Sequence, residues 1–445
     1  MTRVLVAGAG VAAVECVLAL RALGGPRLDI ELLAPAHELV YRPTSVRTPF
    51  GAAPSPRIDL RRLASDLDLR MHRAALDSVE PGTHHVVTRD GARLPYELLV
   101  VATGARSREA VPGAVTFRGP MSAGAVEAVI AAVAAAPELR LAFAAPAGPR
   151  WLLPLYELAL LSARDLRERG VADPDLVVVT GEQQPLDLLG PAAAVAVRSA
   201  LEREGVDLVT GATPEAAFEG VLALRGGELM RADAVVALPE LVGPGVVGLP
   251  HDDAGFVPVD EHGRVPGCPD VFAAGDVTAY PVKHGGLAAQ QADAVAEAIA
   301  ARVGAIVDPA PFRPVLRGVL MTGDAPLYLR AELTPGGERA HRALPTAGAV
   351  SPSALWWPPG KIAGRYLTPF VAAGGTAAAP LADRPAGSAV EGLDLVILAA
   401  DQDAAAGDHE AAVEALDDAE AWLGPLPADV GERREQWRRA MAPRA

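Results

Sequence analysis

Cysteine and lysine are both scarce in this chain of 445 residues. Only Cys16 and Cys268 occur, far apart and without a CxxC pair, which argues against a zinc site and against a local redox disulfide. Among the 40 basic residues only Lys283 and Lys361 are lysines, so each is worth attention as a functional candidate. No apolar run approaches the roughly 20 residues that span a bilayer. The sequence therefore predicts no metal and no stable membrane insertion.

Excess positive charge is missing as well. The net charge of -15 at pH 7 would repel the phosphates of nucleic acids and of anionic membrane surfaces. A hydrophobic fraction of 50% with 21% charged residues is typical of a folded globular protein. No secretory signal precedes the first predicted strand, so we expect a cytoplasmic protein without a nucleic-acid partner.

Strand-like and helix-like segments alternate through the first two thirds of the chain, which favours parallel sheets with covered faces. A strand at residues 4–6, a helix at 11–23 and a strand at 28–33 form the first αβ unit. A second αβ region runs from about 119 to 249. After residue 308 the composition changes to Pro/Gly-rich strands, and the chain ends in an acidic helical segment. The length suits two or three packed units.

The first βα turn carries a dinucleotide-type glycine spacing, VLVAGAGVAAVECVLAL. Gly8, Gly10 and Ala13 follow the G-x-G-x-x-A pattern directly after a strand and at the start of a helix. The first glycine permits the tight turn, the second lets the backbone approach a pyrophosphate, and the third small residue lets helix pack on strand. The helix N-terminus attracts the anion. Alone, this pattern leaves an ordinary βα turn as the alternative.

Two further segments occur in the matching order, LVVATGA at 99–105 and DVFAAGDVTAYPVKHGGLAAQQADAVAEAIA at 270–300. With them, residues 1–303 resemble the FAD-dependent pyridine nucleotide-disulfide oxidoreductase superfamily, and within it the sulfide:quinone oxidoreductases and type II NADH dehydrogenases. The resemblance implies an α/β fold with two Rossmann-like FAD/NAD(P)-binding units, the second inserted in the first, and a C-terminal α+β cap. It implies an FAD-binding domain at 1–106 and 254–308, a degenerate NAD(P)-binding-like domain at 107–253, and a cap or interface domain at 309–445.

FAD is the cofactor that the resemblance implies. Asp276 is expected to bond the ribityl chain, and the helix that begins near Gly286 is expected to aim its positive end at the flavin pyrimidine. Arg42, in VYRPTSV, is expected to reach the phosphates, with a solvated loop arginine as the alternative. The full set of predicted cofactor residues is Gly8, Gly10, Ala12, Ala13, Arg42, Ala102, Thr103, Gly104, Gly275, Asp276, Lys283 and Gly286.

The adenosine end departs from the family pattern. Ala34 stands where an acidic residue usually ends the second strand and binds the ribose. Glu31 lies three residues earlier and faces the other side of a strand. Either Glu38 substitutes from the loop, or the ribose is held differently.

The second nucleotide loop is also altered. Tyr156-Glu157-Leu158-Ala159 keeps the Glu-Leu-Ala of NADH-using relatives, but residues 146–151 read PAGPRW in place of a glycine-rich loop. Proline lacks the N–H that would hold a phosphate, and Trp151 would occupy space that the pyrophosphate needs. We therefore predict a former nicotinamide domain that forms a wall of a pocket. The alternative is that NAD(P)H binds in another way.

Lys283, Glu157 and His284 are the candidate catalytic residues. Glu157 could face Lys283, and the pair could relay a proton beside the flavin N5; the alternative is an ordinary carboxylate near a helix N-terminus. His284 is a further candidate proton donor. Sulfide oxidation in the resembling enzymes requires two redox cysteines by the flavin, which this chain lacks, so we do not predict that activity.

Three aromatic residues, Trp356, Trp357 and Tyr366, lie within the short span ALWWPPGKIAGRYL of a chain with only 4% aromatics. They predict an aromatic lid over a planar substrate such as a quinone. A packed hinge or the contact of a homodimer is the alternative. The sequence thus predicts an FAD-dependent oxidoreductase that passes electrons between a small-molecule redox substrate and the flavin. Alternatives are an NAD(P)H dehydrogenase with an atypical loop and a non-catalytic flavin-binding protein.

Overall fold

The computed structural model describes residues 1–148, 150–323, 325–340, 349–356 and 360–372, and in the C-terminal part 397, 400, 404, 409–423, 426 and 428–441. The chain divides into two compact units, Met1–Ala379 and Pro380–Ala445. The segment predicted as one cap domain at 309–445 therefore does not form one unit, because its first part belongs to the larger unit.

A six-stranded sheet with the order β20-β21-β9-β1-β2-β5 forms the base of the larger unit. Its strands, numbered in chain order, are β1 (Thr2–Ala7), β2 (Leu28–Leu33), β5 (Arg70–His72), β9 (Leu98–Val101), β20 (Arg264–Val265) and β21 (Cys268–Ala273). All neighbours are parallel except the β20–β21 pair. Residues 4–7 are fully buried, as expected for a parallel strand covered on both faces. Helices α1 (Val11–Gly24) and α6 (Gly285–Arg302) pack against each other.

A second parallel sheet, with the order β11-β18-β12-β13-β14, is inserted between β9 and β20. Its strands and helices are β11 (Val115–Thr116), α3 (Ala123–Ala135), β12 (Leu141–Ala144), α4 (Leu153–Glu168), β13 (Leu176–Val179), α5 (Pro191–Arg203), β14 (Val206–Val209) and β18 (Ala234–Ala237). The connections into and out of the insertion, β10 (Arg106–Arg108) and β19 (Glu240–Val242), pair antiparallel. The predicted α/β class with one Rossmann-like unit inserted in another is confirmed.

Besides the two parallel sheets, the larger unit contains small antiparallel sheets and the short helix α2. They are β3 (Glu38–Val40) with β4 (Arg57–Asp59); β6 (Leu76–Glu80), β7 (His85–Thr88) and β8 (Arg93–Pro95); β15 (Pro214–Phe218), β16 (Val221–Leu224) and β17 (Leu229–Arg231); and α2 (Leu60–Asp66). The β6–β8 meander contributes Val79 and Val86 to a buried cluster with Leu5 and Ala7, so it covers one face of the first sheet.

A three-stranded antiparallel sheet follows α6: β22 (Val315–Leu320), β23 (Leu327–Glu332) and β24 (Val350–Ser351), and then the short helix α7 (Leu367–Ala372). Leu316, Leu329 and Ala331 lie in one buried cluster with Leu155 of α4 and Val197 of α5. One face of this sheet therefore packs on the inserted unit. Because side chains alternate along a strand, Arg317 and Arg330 lie on the other face.

The described part of the smaller compact unit includes the helices α8 (His409–Leu423) and α9 (Ala428–Met441). Leu416 and Val430 are buried between them. Arg434 bonds Asp417 at 2.8 Å and Glu420 at 2.6 Å. Across the described part of the chain, every helix is too short or too polar to cross a membrane.

Substitutions of Glu15 test whether its carboxylate holds the start of α7 in place. Its fully buried carboxylate accepts hydrogen bonds from the N–H groups of Tyr366 at 2.8 Å and Leu367 at 2.7 Å. Glu15→Leu leaves these buried donors unsatisfied, so we expect urea denaturation to show a loss of about 2–4 kcal/mol in the free energy of unfolding. Glu15→Gln retains an acceptor oxygen and should lose less. Equal effects of the two substitutions would contradict this account.

Candidate functional site

The turn after β1 forms an open cradle. Gly8 has φ 152°, and a Cβ there would lie 2.2 Å from the carbonyl oxygen of Ala102, so only glycine lets β9 approach this closely. Gly10 is the N-cap of α1 with no side-chain cap, and a Cβ at Gly10 would meet nothing within 4 Å. The first turn of α1 contains no acidic side chain. The free N–H groups of this helix end therefore face open space, as an anion site requires.

The other two motifs meet at the same edge of the sheet. After β9, Thr103 is exposed, and Gly104 has φ 73° with open space around its α-carbon. After β21, Gly275 has φ 82°, and a Cβ there would lie 2.8 Å from the Ala12 side chain. Ala12 and Ala13 are buried and act by close packing. The structure thus brings all three sequence motifs together around one cradle.

Asp276 follows Gly275 and is half-buried. Burial raises the pKa of its carboxyl, while the charges of Lys283 and Arg42 lower it. Arg42 is exposed at the start of a 3-10 helix, Arg42–Phe50. Within the described ranges, no hydrogen-bond donor engages the Asp276 carboxylate, so its oxygens are available to a ligand.

Lys283 is held by groups other than Glu157. Its Nζ donates to the Thr278 carbonyl oxygen at 2.5 Å and lies 3.6 Å from the centroid of the Phe256 ring. Burial lowers the pKa of Lys283 to about 8, against the opposing effects of Asp276 and Asp252. The predicted contact between Glu157 and Lys283 is therefore wrong.

The partner of Glu157 is Lys361. Glu157 Oε1 accepts from Lys361 Nζ and, at 2.9 Å, from the N–H of Met321. The side chains of Lys361 and Glu157 are only 7% and 1% exposed. Burial raises the pKa of Glu157, and Lys361 partly opposes that shift. Glu157 Oε2 is buried and has no partner among the described residues, so one more donor could bind there.

His284 caps α6. Its Nδ1 accepts a hydrogen bond from the N–H of Leu287 at 3.3 Å. Burial, with the charges of Arg317 and Lys361, lowers the pKa of His284 to about 3. The imidazole is therefore neutral at physiological pH, and its role is to fix the first turn of α6. Beside this turn, a Cβ at Gly285 would lie 3.0 Å from the side chain of Ile362, so the segment at 360–364 adjoins the head of α6.

Trp151 points inward from the altered loop. Its ring lies edge-on to His284 with centroids 4.5 Å apart, and a Cβ on Gly318 would lie 2.9 Å from the indole. Pro146 is buried, whereas Pro149 lies outside the described residues. The loop therefore packs the inserted unit against α6 and β22, with Trp151 as the contact.

Glu182, which the sequence analysis missed, lies three residues after the end of β13. Acidic residues near the end of the second Rossmann strand bind the ribose of a dinucleotide. Here Glu182 Oε2 accepts from Tyr156 Oη at 2.6 Å and from the N–H of Leu186 at 3.2 Å. Burial raises the pKa of Glu182 to about 7. The strand-then-acid pattern VVVTGE was the available signal for this residue.

At the end of the site where adenosine is expected, Glu38 of β3 supplies a carboxylate. Ala34 is buried, and its N–H donates to the His72 carbonyl at 3.0 Å. Glu31 is bonded by Arg70 and His72, each at 2.5 Å, and is only 3% exposed. Glu38 forms an exposed ion pair with Arg57 at 2.9 Å and stays the predicted substitute.

Two of the three residues of the predicted aromatic lid are described, and the structure places them differently. Trp356 Nε1 donates to the Gly360 carbonyl at 2.9 Å, and its ring lies edge-on to Tyr328 at 5.3 Å. Trp357 lies outside the described residues. Tyr366 is only 8% exposed, because the Glu15 carboxylate binds its backbone against α1. Tyr366 is therefore a packed residue, and its assignment to an open lid is wrong.

Comparisons with known proteins agree with this geometry. Residues 157–300 match the family model described as pyridine nucleotide-disulphide oxidoreductase. The sulfide:quinone oxidoreductase of Aquifex aeolicus has a similar structure, with a TM-score of 0.67 and 19% identity over 76% of this chain and 86% of that one. A ferredoxin reductase from Rhodopseudomonas palustris gives a TM-score of 0.57 and 20% identity over 75% and 83%.

An NADH dehydrogenase-like protein of Mycobacterium tuberculosis is 28% identical over 313 residues, which are 63% of this chain and 73% of that protein. The family match falls on α4 through α6, and the fold and the three glycine motifs extend the likeness to both Rossmann-like units. Residues 157–300 thus carry the pattern of the pyridine nucleotide-disulphide oxidoreductases, and the chain as a whole is similar in fold to solved oxidoreductases of this kind.

Proposed function

We propose that this protein binds FAD and passes electrons between a small organic substrate and the flavin. The observation that carries the proposal is the cradle in which Gly10, Gly104 and Asp276 leave space and unpaired groups at one edge of the sheet. A pyrophosphate suits the end of α1, and a polar chain suits the Asp276 carboxylate. The residues present thus fit an FAD.

The proposed contacts follow the motifs. Gly8, Gly10 and residues 102–104 hold the pyrophosphate side, and exposed Arg42 reaches the phosphates. Asp276 binds the ribityl hydroxyls, and the helix end at Gly286 faces the flavin pyrimidine. When bound, the flavin supplies two-electron redox chemistry, and a helix N-terminus with a nearby cation stabilises its reduced, anionic form.

The buried Lys361–Glu157 pair is the proposed proton-holding group at this site, in place of the predicted Lys283–Glu157 pair. Both side chains are almost fully buried, and Glu157 Oε2 has no partner among the described residues. Burial raises the pKa of the Glu157 carboxyl and so favours its protonated form. The Lys361 ammonium can stabilise negative charge on an oxygen of the substrate.

A planar electron acceptor such as a quinone is the substrate that we propose. Trp356, one of the three predicted lid residues, lies edge-on to the Tyr328 ring and donates to the Gly360 carbonyl, next to the segment that contains Lys361. The similar structure from Aquifex aeolicus is named a sulfide:quinone oxidoreductase. We do not propose sulfide chemistry, since both cysteines are buried and free, Cys16 within α1 and Cys268 at the start of β21.

NAD(P)H dehydrogenation is the second candidate, because one relative is named NADH dehydrogenase-like. Two observations weigh against it. Pro146 and Trp151 replace a glycine-rich loop, and Glu182 is bonded within the protein to Tyr156 and Leu186. We therefore propose that the inserted unit serves mainly as a wall of the site.

Gly10→Val tests FAD binding. Gly10 has φ -91°, which valine adopts, and a Cβ there meets no described residue within 4 Å, so the variant should fold. Its side chain would occupy the space proposed for the pyrophosphate, so we expect loss of the yellow flavin absorbance and no uptake of added FAD. Gly82→Val is the matched control, because Gly82 is exposed and equally open but lies away from the cradle. Normal FAD content in Gly10→Val would reject the assignment.

Stopped-flow reduction tests the altered second loop. Two rates are compared: the reduction of the flavin by NADH or NADPH, and the reoxidation by menadione of flavin that dithionite has reduced. We expect the first rate to be at least about tenfold lower than the second, because the loop offers too few N–H groups for a second pyrophosphate. Saturation at low micromolar NADH with fast hydride transfer would favour the second candidate instead.

Lys283→Met tests whether this cation tunes the flavin. Losing a charge-assisted contact of about 1.5–3 kcal/mol corresponds to a fall of roughly 30–65 mV in the two-electron midpoint potential. The pKa of Lys283 is lowered to about 8, so the ammonium is present below that pH and is lost above it. The difference in midpoint potential between wild type and variant should therefore be largest well below pH 8 and shrink above it. Spectroelectrochemical titration measures this, with Lys283→Arg as a control that keeps the cation; an unchanged midpoint potential in Lys283→Met would remove Lys283 from the site.

A further inference from the structure

Two arginines lie opposite each other on the face of the β22–β24 sheet that does not pack on the inserted unit. Arg317 of β22 and Arg330 of β23 are direct cross-strand partners in the antiparallel register. Side chains in such pairs stand on the same face with Cβ atoms about 4.5–5.5 Å apart, and like charges placed there are destabilising. The arrangement costs stability unless an anion neutralises it.

The described residues supply little of that neutralisation. Among the described residues, Arg317 Nε is buried without a hydrogen-bond partner, and no carboxylate lies within ion-pair distance of Arg317. Burial and the charge of Arg330 lower the pKa of Arg317 to about 10. Arg330 has one acidic neighbour, Glu332, at the long distance of 3.7 Å, and the Glu332 Oε1 atom also lacks a hydrogen bond.

The arginine pair adjoins the proposed flavin site. The backbone of Arg317 hydrogen-bonds the imidazole of His284, the cap of α6, and the charges of Arg317 and Lys361 both act on that imidazole. Gln290, in the second turn of α6, bonds the N–H and the carbonyl of Val315 at 2.9 Å each, which fixes β22 along this helix. The strand that carries Arg317 is therefore fixed beside the helix end at which the flavin is expected.

Two aromatic side chains, Tyr328 of β23 and Trp356, lie next to the arginine pair. Tyr328 precedes Arg330 by two residues and so shares its face of the sheet. The Trp356 ring lies edge-on to Tyr328 at 5.3 Å. Arginine binds carboxylates with two parallel hydrogen bonds, and aromatic side chains bind planar rings. Together these four residues, which we call the arginine face, match a flat molecule with an acidic group.

We propose that the arginine face (Arg317, Arg330, Tyr328 and Trp356) binds an aromatic carboxylate, with the acid group on the two guanidinium groups and the ring against the two aromatic side chains. This proposal rests on the proposed function, because it assigns the substrate of the flavin site to the class of acidic, planar redox molecules.

Calorimetric titration of the FAD-loaded protein with benzoate tests the site directly. We expect benzoate to bind the wild type and benzamide, its uncharged analogue, not to bind. Arg317→Gln and Arg330→Gln should each weaken benzoate binding about tenfold or more, since each removes a charge-assisted contact. Arg317→Lys should weaken it less than Arg317→Gln, because the charge remains. Arg313→Gln, at an exposed arginine just before β22, is the matched control and should change nothing.

Thermal unfolding without any anion separates a binding site from a structural contact. If the two arginines await a ligand, removing one relieves repulsion, so Arg317→Gln and Arg330→Gln should unfold at a higher temperature than the wild type. Benzoate should stabilise only proteins that keep the pair. Absence of benzoate binding in the wild type, or equal binding by wild type and both glutamine variants, would overturn the proposal.

Reoxidation of the reduced flavin tests whether the bound acid is the substrate. We expect Arg317→Gln to raise the KM for a naphthoquinone sulfonate at least tenfold and to leave the KM for menadione unchanged. The same KM change for both acceptors would overturn the substrate assignment. If neither acceptor reoxidises the wild-type flavin while benzoate still binds, the proposed function fails and the anion site stands.

Discussion

The site depends on the buried ion pair between Lys361 and Glu157, which joins three distant parts of the chain. Glu157 lies on α4, its Oε1 also binds the N–H that follows β22, and Lys361 belongs to the segment beside the head of α6. Removing one member of such a pair leaves an uncompensated buried charge and costs about 3–5 kcal/mol, whereas a well-packed apolar pair could hold the same segments together. Because stability alone does not require an ion pair here, the Lys361–Glu157 pair points to a chemical role at this position.

Three basic side chains lie near the head of α6 in a protein that is acidic as a whole. Lys283, Lys361, Arg317 and the helix end all lie there, and His284 is kept neutral by burial among them. Such a region favours anions, both a reduced flavin and an acidic substrate. The net charge of -15 therefore belongs to other parts of the molecule and says nothing about this site.

Local backbone requirements made the cradle predictable from the sequence. Gly8 and Gly10 are needed for one tight turn and one open helix end, and those needs appear as a fixed spacing within a few residues. The second strand was expected at 28–33 and is found at Leu28–Leu33. The inserted topology followed from the resemblance and from the alternation of strands and helices.

Contacts between distant segments could not be read in the same way. Lys361 is 204 residues from Glu157, and nothing in the local sequence of either residue distinguishes it from Lys283 as the partner. Tyr366 belongs to an aromatic-rich span, but Glu15, on the first helix, decides that it is buried. The cross-strand position of Arg317 and Arg330 depends on the register of β22 and β23, which only the folded sheet defines.

The central claim is that FAD lies with its phosphates at the Gly10 turn and its flavin at the head of α6, lined by Lys361 and Glu157. A crystal structure of the FAD-loaded protein tests this most directly. The account predicts the pyrophosphate against the first turn of α1 and the flavin beside Gly286, with the Lys361–Glu157 pair next to it. A flavin bound away from α6, or an FAD whose pyrophosphate occupies the N-terminus of α4, would contradict it.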